Sequence, residues 1–429
     1  MAWDFSTEPE FEAKLDWIRA FVREEVRPLE VLDVSSTTIR RLMIPLQQRV
    51  KDAGLWAAHL PPEMGGTGMG QLKLALIHEI LGAEVYASPV FGNYAPDSGN
   101  AELIAVGGTE EQKRRWMTPL LNGDLSSAFS MTEPGAGADP TLLATTAHRD
   151  GDQWVINGHK WFTSNGSTAD FLIVMCVTDP EAPPRRRASM IIVPRDTSGV
   201  NILRNVGTMA ELDGAHLVWG TGESEIRYED VRVPLDHMIG APGEGFDLAQ
   251  KRLGPGRIHH CMRWIGQCNR AFDMMCERAV SRYTAGSLLS DKQMVQQWVA
   301  DSAAEIHAAR LMVLHAAWKI DTSGVAASRT EIAMIKYFVA NVLSSVIDRA
   351  LQVYGSLGYS TDMPLELMYR QARAARIVDG PDEVHRVTAA RRVLRNYKAT
   401  DVPTDHIPSR RAAAEQKFAG LLDERMTGR

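Results

Sequence analysis

The texture of the chain changes twice, and the order of those changes limits the folds open to it. Over 1–127 the apolar residues keep helical spacing. Phe11, Leu15, Ile18 and Val22 stand three or four apart, so one face of a helix collects them. Val26 extends that stripe, and Pro28 is expected to close it. Residues 61–70, rich in proline and glycine, read as a loop, and helical pattern resumes over 72–81 and 110–121. Over 128–241 the pattern becomes that of strands. Residues 154–158 and 160–166 read as two strands with a turn between them. Residues 171–177 and 189–193 are short apolar runs rich in β-branched side chains, and 225–234 alternates apolar with polar. The Pro-Pro-Arg-Arg-Arg run at 183–187 is expected to be an exposed loop. Beyond a glycine-rich boundary at 240–245, helical stretches cover 246–283, 291–322, 328–357 and 382–397. The expectation is a mainly α protein with a central β domain: helices over 1–127, a β domain over 128–241, helices over 242–400 and a charged tail over 401–429.

Composition excludes several classes. A chain of 429 residues is long enough for two or three packed units. A net charge of -6 argues against general nucleic-acid binding. No apolar run approaches the roughly 18 residues of a membrane span. The acidic N-terminus looks like neither a secretion signal nor a transit peptide, so the expected location is the cytoplasm. Cys176, Cys261, Cys268 and Cys276 form no CxxC pair; they read as core or interface thiols, and no metal site is expected.

Four motifs stand in order along the chain. The first is Met131-Thr132-Glu133-Pro134-Gly135-Ala136-Gly137-Ala138-Asp139, preceded by Phe129. Its glycines let backbone approach a flat ring or a phosphate, and Thr132 offers a short hydroxyl. The second is Trp161-Phe162-Thr163, the third runs from Arg282 to Gln293, and the fourth is Gln352-Val353-Tyr354-Gly355-Ser356-Leu357-Gly358-Tyr359. Together with Arg376-Ile377-Val378-Asp379-Gly380-Pro381-Asp382-Glu383 near the end, they resemble the acyl-CoA dehydrogenase family.

That resemblance implies a definite fold: an N-terminal helical domain, a middle β-barrel or sandwich, and a C-terminal four-helix bundle. It also implies FAD as cofactor. Phe129, Met131, Thr132, Gly137 and Ala138 would line the flavin, with Ala138 also meeting substrate in place of the family's usual serine. Trp161 would cover a flavin face, and the Thr163 hydroxyl would bond N5; core packing is the competing reading of Trp161. Arg282, with Gln293, and the turn Gln352, Gly355 and Ser356 would reach the cofactor of a neighbouring subunit, a task that suits a guanidinium fork. Pro381 and Glu383 complete the expected cofactor contacts. Ala285 and Ser356 depart from the family's phenylalanine and glycine. A shared cofactor implies a homodimer or homotetramer.

Most of the family carries a glutamate where this chain has Asp379. Asp379 is therefore the candidate general base for the α-proton of a thioester, its backbone N–H a candidate oxyanion donor. The competing reading has it cap the helix beginning near 382. Gly254, Arg257, His260 and Gly380 are the remaining candidate substrate contacts. Arg257 is expected to tune the carboxylate and order its loop, and Gly380 to let backbone approach the thioester. His259 and His260 stand where fatty acyl-CoA dehydrogenases keep small apolar residues, with His260 expected to face the acyl cavity; satisfied core histidines are the alternative. The Asp379 position and the 256–263 segment resemble a branch whose animal members carry a kinase-like domain and are linked to 4-hydroxyacyl-CoA breakdown through phosphorylated acyl-CoA.

The function implied is FAD-dependent dehydrogenation of an acyl-CoA to the 2-enoyl-CoA, on a hydroxylated or otherwise polar acyl chain, with electrons passing to an electron-transfer flavoprotein or similar acceptor. Flavin-assisted elimination or isomerisation of a 4-phosphoacyl-CoA without net oxidation is one alternative, and a non-catalytic acyl-CoA-binding protein another.

Overall fold

In the computed structural model, which describes residues 5–60, 62, 66–210, 222–399 and 408–426, helices flank one eight-stranded sheet. The side chains of 251–255, 408–409 and 423–426 lie outside that description, as does part of the 61–70 loop. The first helix, Pro9–Phe21, buries Phe11, Leu15, Ile18 and Phe21 as its spacing requires. Pro28 does not end the path. The chain continues through a π turn, Val22–Val26, into a 3-10 turn, Arg27–Val31, where proline stands at a first-turn position that needs no N–H. The segment after Thr109 starts with a capping box to Gln112 and stays helical to Asn122, where Gly123 turns left-handed at φ 81°.

The sheet comprises β1 (Ser127–Ser130), β2 (Thr146–Asp150), β3 (Gln153–Ser164), β4 (Phe171–Val177), β5 (Ala188–Pro194), β6 (Val200–Val206), β7 (Glu223–Pro234) and β8 (Met238–Ile239). Their order is β6-β7-β3-β2-β4-β5-β8, with β1 parallel against β4. The turn expected between 158 and 160 does not exist. β3 runs unbroken through it, with register shifts at 156/158 and 160/163. Gly158 is there for close approach: a Cβ on it would stand 2.2 Å from Thr145 Oγ1. β4 and β5 are buried on both faces, which is why their sequences do not alternate.

The C-terminal helices are Gly245–Ser281, Gln293–Ala327 (interrupted at Gly324), Arg329–Tyr354, Leu365–Ala374 and Asp382–Leu394. A small hairpin, Tyr283–Thr284 with Ser287–Leu288, separates the first two. The helix Arg329–Tyr354 is long and apolar enough to cross a membrane, but its apolar residues are spent inside the bundle: Val339, Leu343, Val346 and Ile347 are fully buried. The two helical blocks share one core, in which Phe11, Ile18 and Leu81 pack with Ile258, Ile265, Val313 and Leu343. The β domain therefore interrupts the helical mass in sequence and lies beside it in space. Cys176, Cys261 and Cys268 are buried and all four cysteines are free. Of the tail, residues 400–407 lie outside the described residues; Pro408–Lys417 and Ala419–Met426 are helical.

Candidate active site

The loop before the last bundle helix holds Asp379 in a left-handed conformation (φ 55°), followed by Gly380 at φ 98°. A non-glycine residue there is costly, so surrounding contacts must hold it. Three buried or half-buried cationic or imidazole side chains do so through carbonyls. Arg257 donates from Nε and Nη2 to the Asp379 carbonyl at 3.3 and 3.1 Å. His385 Nε2 donates to the same oxygen at 3.1 Å. Lys336, fully buried in the third bundle helix, donates to the carbonyls of Ala375 (2.7 Å) and Gly380 (3.2 Å). Burial pushes the Lys336 ammonium and the Arg257 guanidinium below their usual ranges. It also pushes His385 down to about 4, with Arg257 adding to the effect, so its imidazole is neutral near pH 7. The far side of the loop is tied by Asp382, which accepts from Arg376 Nε (3.0 Å) and Asn341 Nδ2 (2.8 Å).

This geometry agrees with one expectation and removes another. Arg257 bonds the carbonyl of Asp379, which orders the loop, and the Asp379 carboxylate acts on its guanidinium as well. The helix starts at Asp382 with Pro381 as its N-cap, so Asp379 is no cap. His260 lies against the candidate base, its Nε2 3.3 Å from Asp379 Oδ2. Its Nδ1 meets Arg263 Nη2 at 2.8 Å. Gly254 lies in the 251–255 stretch, whose side chains are outside the described residues.

From Arg263 a polar cluster runs into the core shared with the helix Gly70–Gly82. The two helices touch there, since a Cβ on Gly82 would stand 2.1 Å from the Arg263 carbonyl oxygen. Arg263 Nη1 meets His78 Nδ1 at 3.2 Å and the Asn93 carbonyl at 3.4 Å. His259 stacks on His78 with ring centres 4.4 Å apart and reaches Gln71 Oε1 at 3.1 Å. His59 Nδ1 lies 3.2 Å from Asn93 Oδ1. Burial drives His59 down to about 4, His78 and His259 well below the usual range, and Arg263 down to about 10. At neutral pH this is one guanidinium cation among neutral imidazoles. Among the described residues, its hydrogen bonds all go to neutral acceptors. Because Arg263 only donates, His78 Nδ1 must accept and its proton sits on Nε2. That nitrogen and Asn93 Nδ2 are buried donors with no hydrogen-bond partner among the described residues.

The second group surrounds the loop after β1. The Thr132 carbonyl accepts from Trp161 N at 3.1 Å, clamping the loop to β3. Beneath it Lys160 and Glu133 form a buried pair. Lys160 Nζ donates to Glu133 Oε1 (2.8 Å) and the Met131 carbonyl (2.7 Å), and Glu133 accepts from Ala144 N and Thr145 N. Burial opposes both charges; Lys160 and these N–H donors nonetheless hold Glu133 below the usual carboxylate range. Phe129, Met131 and Thr132 are half-buried, and Gly137 and Ala138 exposed. Thr163 departs from expectation. It is buried, and its hydroxyl meets Ser130 Oγ at 3.1 Å, so it is not offered to a cofactor. A bulge between Lys160 and Thr163, with Phe162 left-handed at φ 53°, breaks the alternation of the strand, so Lys160 and Thr163 are both buried and Phe162 is 46% exposed. Trp161 is half-buried, with its ring 5.1 Å from that of Phe162.

Arg282 and Gln293 are exposed at the two ends of the hairpin segment, and Gln352, Gly355 and Ser356 at the end of the third bundle helix. Arg278 stacks over Tyr354 at 5.5 Å, which brings these two ends together. Glu383 is exposed on the first turn of the last helix, and Pro381 half-buried before it. The residues fit a flavin dinucleotide. Among the described residues, none beyond the chain neighbours lies within 4 Å of where a Cβ would stand on Gly135, Gly137 or Gly355, so open space faces these backbones. Among the described residues there is no cluster of metal-ligating side chains. Sequence reasoning missed His78, Arg263, Lys336 and His385. Arg263 alone carried a signal, standing one helical turn after His260.

Family models describe the acyl-CoA dehydrogenase N-terminal domain over residues 8–124, the middle domain over 128–219 and the C-terminal domain over 243–394. The chain belongs to the acyl-CoA dehydrogenase family, flavoproteins whose cofactor is FAD. The chain is 42% identical over 401 residues to the Mycobacterium tuberculosis protein FadE2, named a probable acyl-CoA dehydrogenase, covering 92% of this chain and 94% of that protein. It is 41% identical over 388 residues to acyl-CoA dehydrogenase family member 11 of Gallus gallus, covering 87% of this chain and 49% of the relative. The chain thus spans about half the length of that animal relative. A solved structure of a candidate acyl-CoA dehydrogenase from Mycobacterium abscessus superposes with a TM-score of 0.86 at 36% identity, covering 92% of this chain and all of that one.

Proposed function

We propose that this chain is an FAD-dependent acyl-CoA dehydrogenase in which Asp379 removes the α-proton, acting on an acyl-CoA whose acyl chain carries a hydroxyl or anionic group. The observation that carries the first part is the left-handed backbone at Asp379, over-determined by Arg257 and His385 on its carbonyl and by Lys336 on the next one. Strain of this kind persists where a side chain must be aimed. Bound FAD supplies the acceptor for the β-hydride. Thr132 and its neighbours on the clamped loop hold the flavin edge, while Arg282, Gln293, Gln352, Gly355 and Ser356, exposed on one protomer, reach the cofactor of a second in a homo-oligomer. Acyl-CoA and an electron-transfer flavoprotein are the partners this reading requires, and the cytoplasm its location.

The second part is supported by the cluster leading away from Asp379. A buried guanidinium bonded only to neutral acceptors, with two further donors lacking acceptors, favours a ligand that brings oxygens or negative charge. An alkyl tail would leave those donors unpaired, at about 1–3 kcal/mol each.

Anaerobic mixing with straight-chain, branched, 4-hydroxy and 4-phospho acyl-CoAs tests both parts. Asp379→Asn is expected to keep its flavin and lose at least about 10³-fold in flavin reduction. Reduction at near wild-type rate by that variant would refute the base. Equal rates on alkyl and polar chains would refute the polar pocket. Acceptor consumption in step with product distinguishes oxidation from elimination.

A further inference from the structure

We infer that His260 is a positioning residue for the base: a neutral imidazole whose Nε2–H donates to Asp379 Oδ2, so that Oδ1 is the oxygen that takes the proton. This rests on Asp379 being the base.

The tautomer follows from the far side of the ring. Nδ1 lies 2.8 Å from Arg263 Nη2, and a guanidinium has donors only. Nδ1 must therefore present its lone pair, and the single proton of the neutral ring sits on Nε2. That nitrogen lies 3.3 Å from Asp379 Oδ2, and both side chains are 26% exposed. The contact is a neutral donor on a carboxylate, not an ion pair. A second ring proton would point Nδ1–H straight at Arg263.

Charged and titratable groups face the pair from several elements. Arg257 and Arg263 lie one helical turn either side of His260. Lys336 and His385 face the Asp379 loop from two other helices. His259 shares the first helix and stacks on His78 of the helix Gly70–Gly82. The Trp264 ring lies 6.0 Å from the imidazole. Asp382, at the start of the last bundle helix, is a second carboxylate acting on Lys336.

Two chemical consequences follow. A donated hydrogen bond stabilises the ionised carboxylate and fixes its rotation about a backbone that is already held. When the α C–H bond breaks, the new O–H bond forms on Oδ1, because Oδ2 already faces an N–H. The histidine keeps its own proton throughout and relays nothing.

The test uses a 3-thiaacyl-CoA, whose sulfur prevents β-hydride loss, so that deprotonation alone is read as a long-wavelength charge-transfer band. The band is titrated against pH in wild type, His260→Leu, His260→Gln and Asp379→Asn. His260→Leu is expected to move the midpoint up by about one pH unit and to slow band formation about tenfold. His260→Gln, which can present an N–H in the same place, should stay within about threefold of wild type. Independently, 15N-histidine spectra of the wild-type holoenzyme at pH 7 should show His260 as the Nε2–H tautomer, assigned by its loss in His260→Gln. A His260→Leu profile that overlays wild type, or a protonated Nδ1, overturns the inference. If Asp379→Asn still forms the band, the base assignment itself has failed; if only the histidine variants match wild type, that assignment stands and the positioning role does not. Should His260→Leu fail to fold, the wild-type spectra and His260→Gln still decide the matter.

Discussion

Replacing Gly380 by alanine tests how far the reaction depends on the backbone after Asp379. Gly380 sits at φ 98°, where an L-residue is strained by about 1–3 kcal/mol. An added Cβ would also stand 2.9 Å from His385 Nε2. That nitrogen donates to the Asp379 carbonyl, so moving the ring loosens a bond worth about 0.5–1.5 kcal/mol. The two costs sum to about 1.5–4.5 kcal/mol, concentrated on one loop. The bundle has enough core to survive this, so the loop should yield and carry Asp379 with it. A displacement near 1 Å is expected to slow substrate-driven flavin reduction about 10²-fold. The assay is anaerobic stopped-flow bleaching, with a thermal melt of the same preparation. Gly151→Ala is the control. Gly151 also has positive φ (62°) but no atom within 4 Å of its would-be Cβ, so the variant should cost about 1 kcal/mol and leave reduction unchanged. Wild-type bleaching by Gly380→Ala would mean that the held backbone is irrelevant to the chemistry.

Two stability predictions stand apart from the base. Lys160→Met leaves Glu133 charged in a site that is 6% exposed, so urea stability should fall by about 3–5 kcal/mol and FAD should be lost on gel filtration. Adding Glu133→Gln should recover part of both, and no recovery would point away from the ion pair. Burial pushes Asp97 up to about 6, against the opposing effect of its bonds from Ser127. A carboxyl raised on folding contributes stability that is full below its unfolded pKa of about 3.9 and lost as pH rises through 6. Asp97→Asn should therefore gain on wild type as pH rises from about 4 to about 6, by about 1–3 kcal/mol in urea melts, and hold that gain above it; a constant difference from pH 4 to 6 would contradict the assignment.

Helical spacing at Phe11, Leu15 and Ile18 reported burial directly, because a helix shows one face to its core every third or fourth residue. β7 was legible for the matching reason at period two, and β4 as an unbroken apolar run buried on both faces. Gly158 misled: its signal is that of a turn, but the Thr145 side chain opposite it gives the glycine another cause. The Trp161-Phe162-Thr163 motif also held a hidden choice. A bulge between Lys160 and Thr163 overrides strand alternation there, and only the contact with Ser130 reveals that Thr163 points inward.

The chain order alone determined the succession of helical, β and helical blocks, which rests on local pattern, while Asp379 was legible only through the resemblance of its segment to the family. What surrounds that carboxylate was decided by tertiary structure. His78 and Arg263, separated by 185 residues, meet because two helices pack closely at Gly82. Lys336 and His385 converge on the 375–380 loop from different helices. Long-range contacts of this kind leave no periodicity behind, because each arises from packing between segments whose separation along the chain is arbitrary.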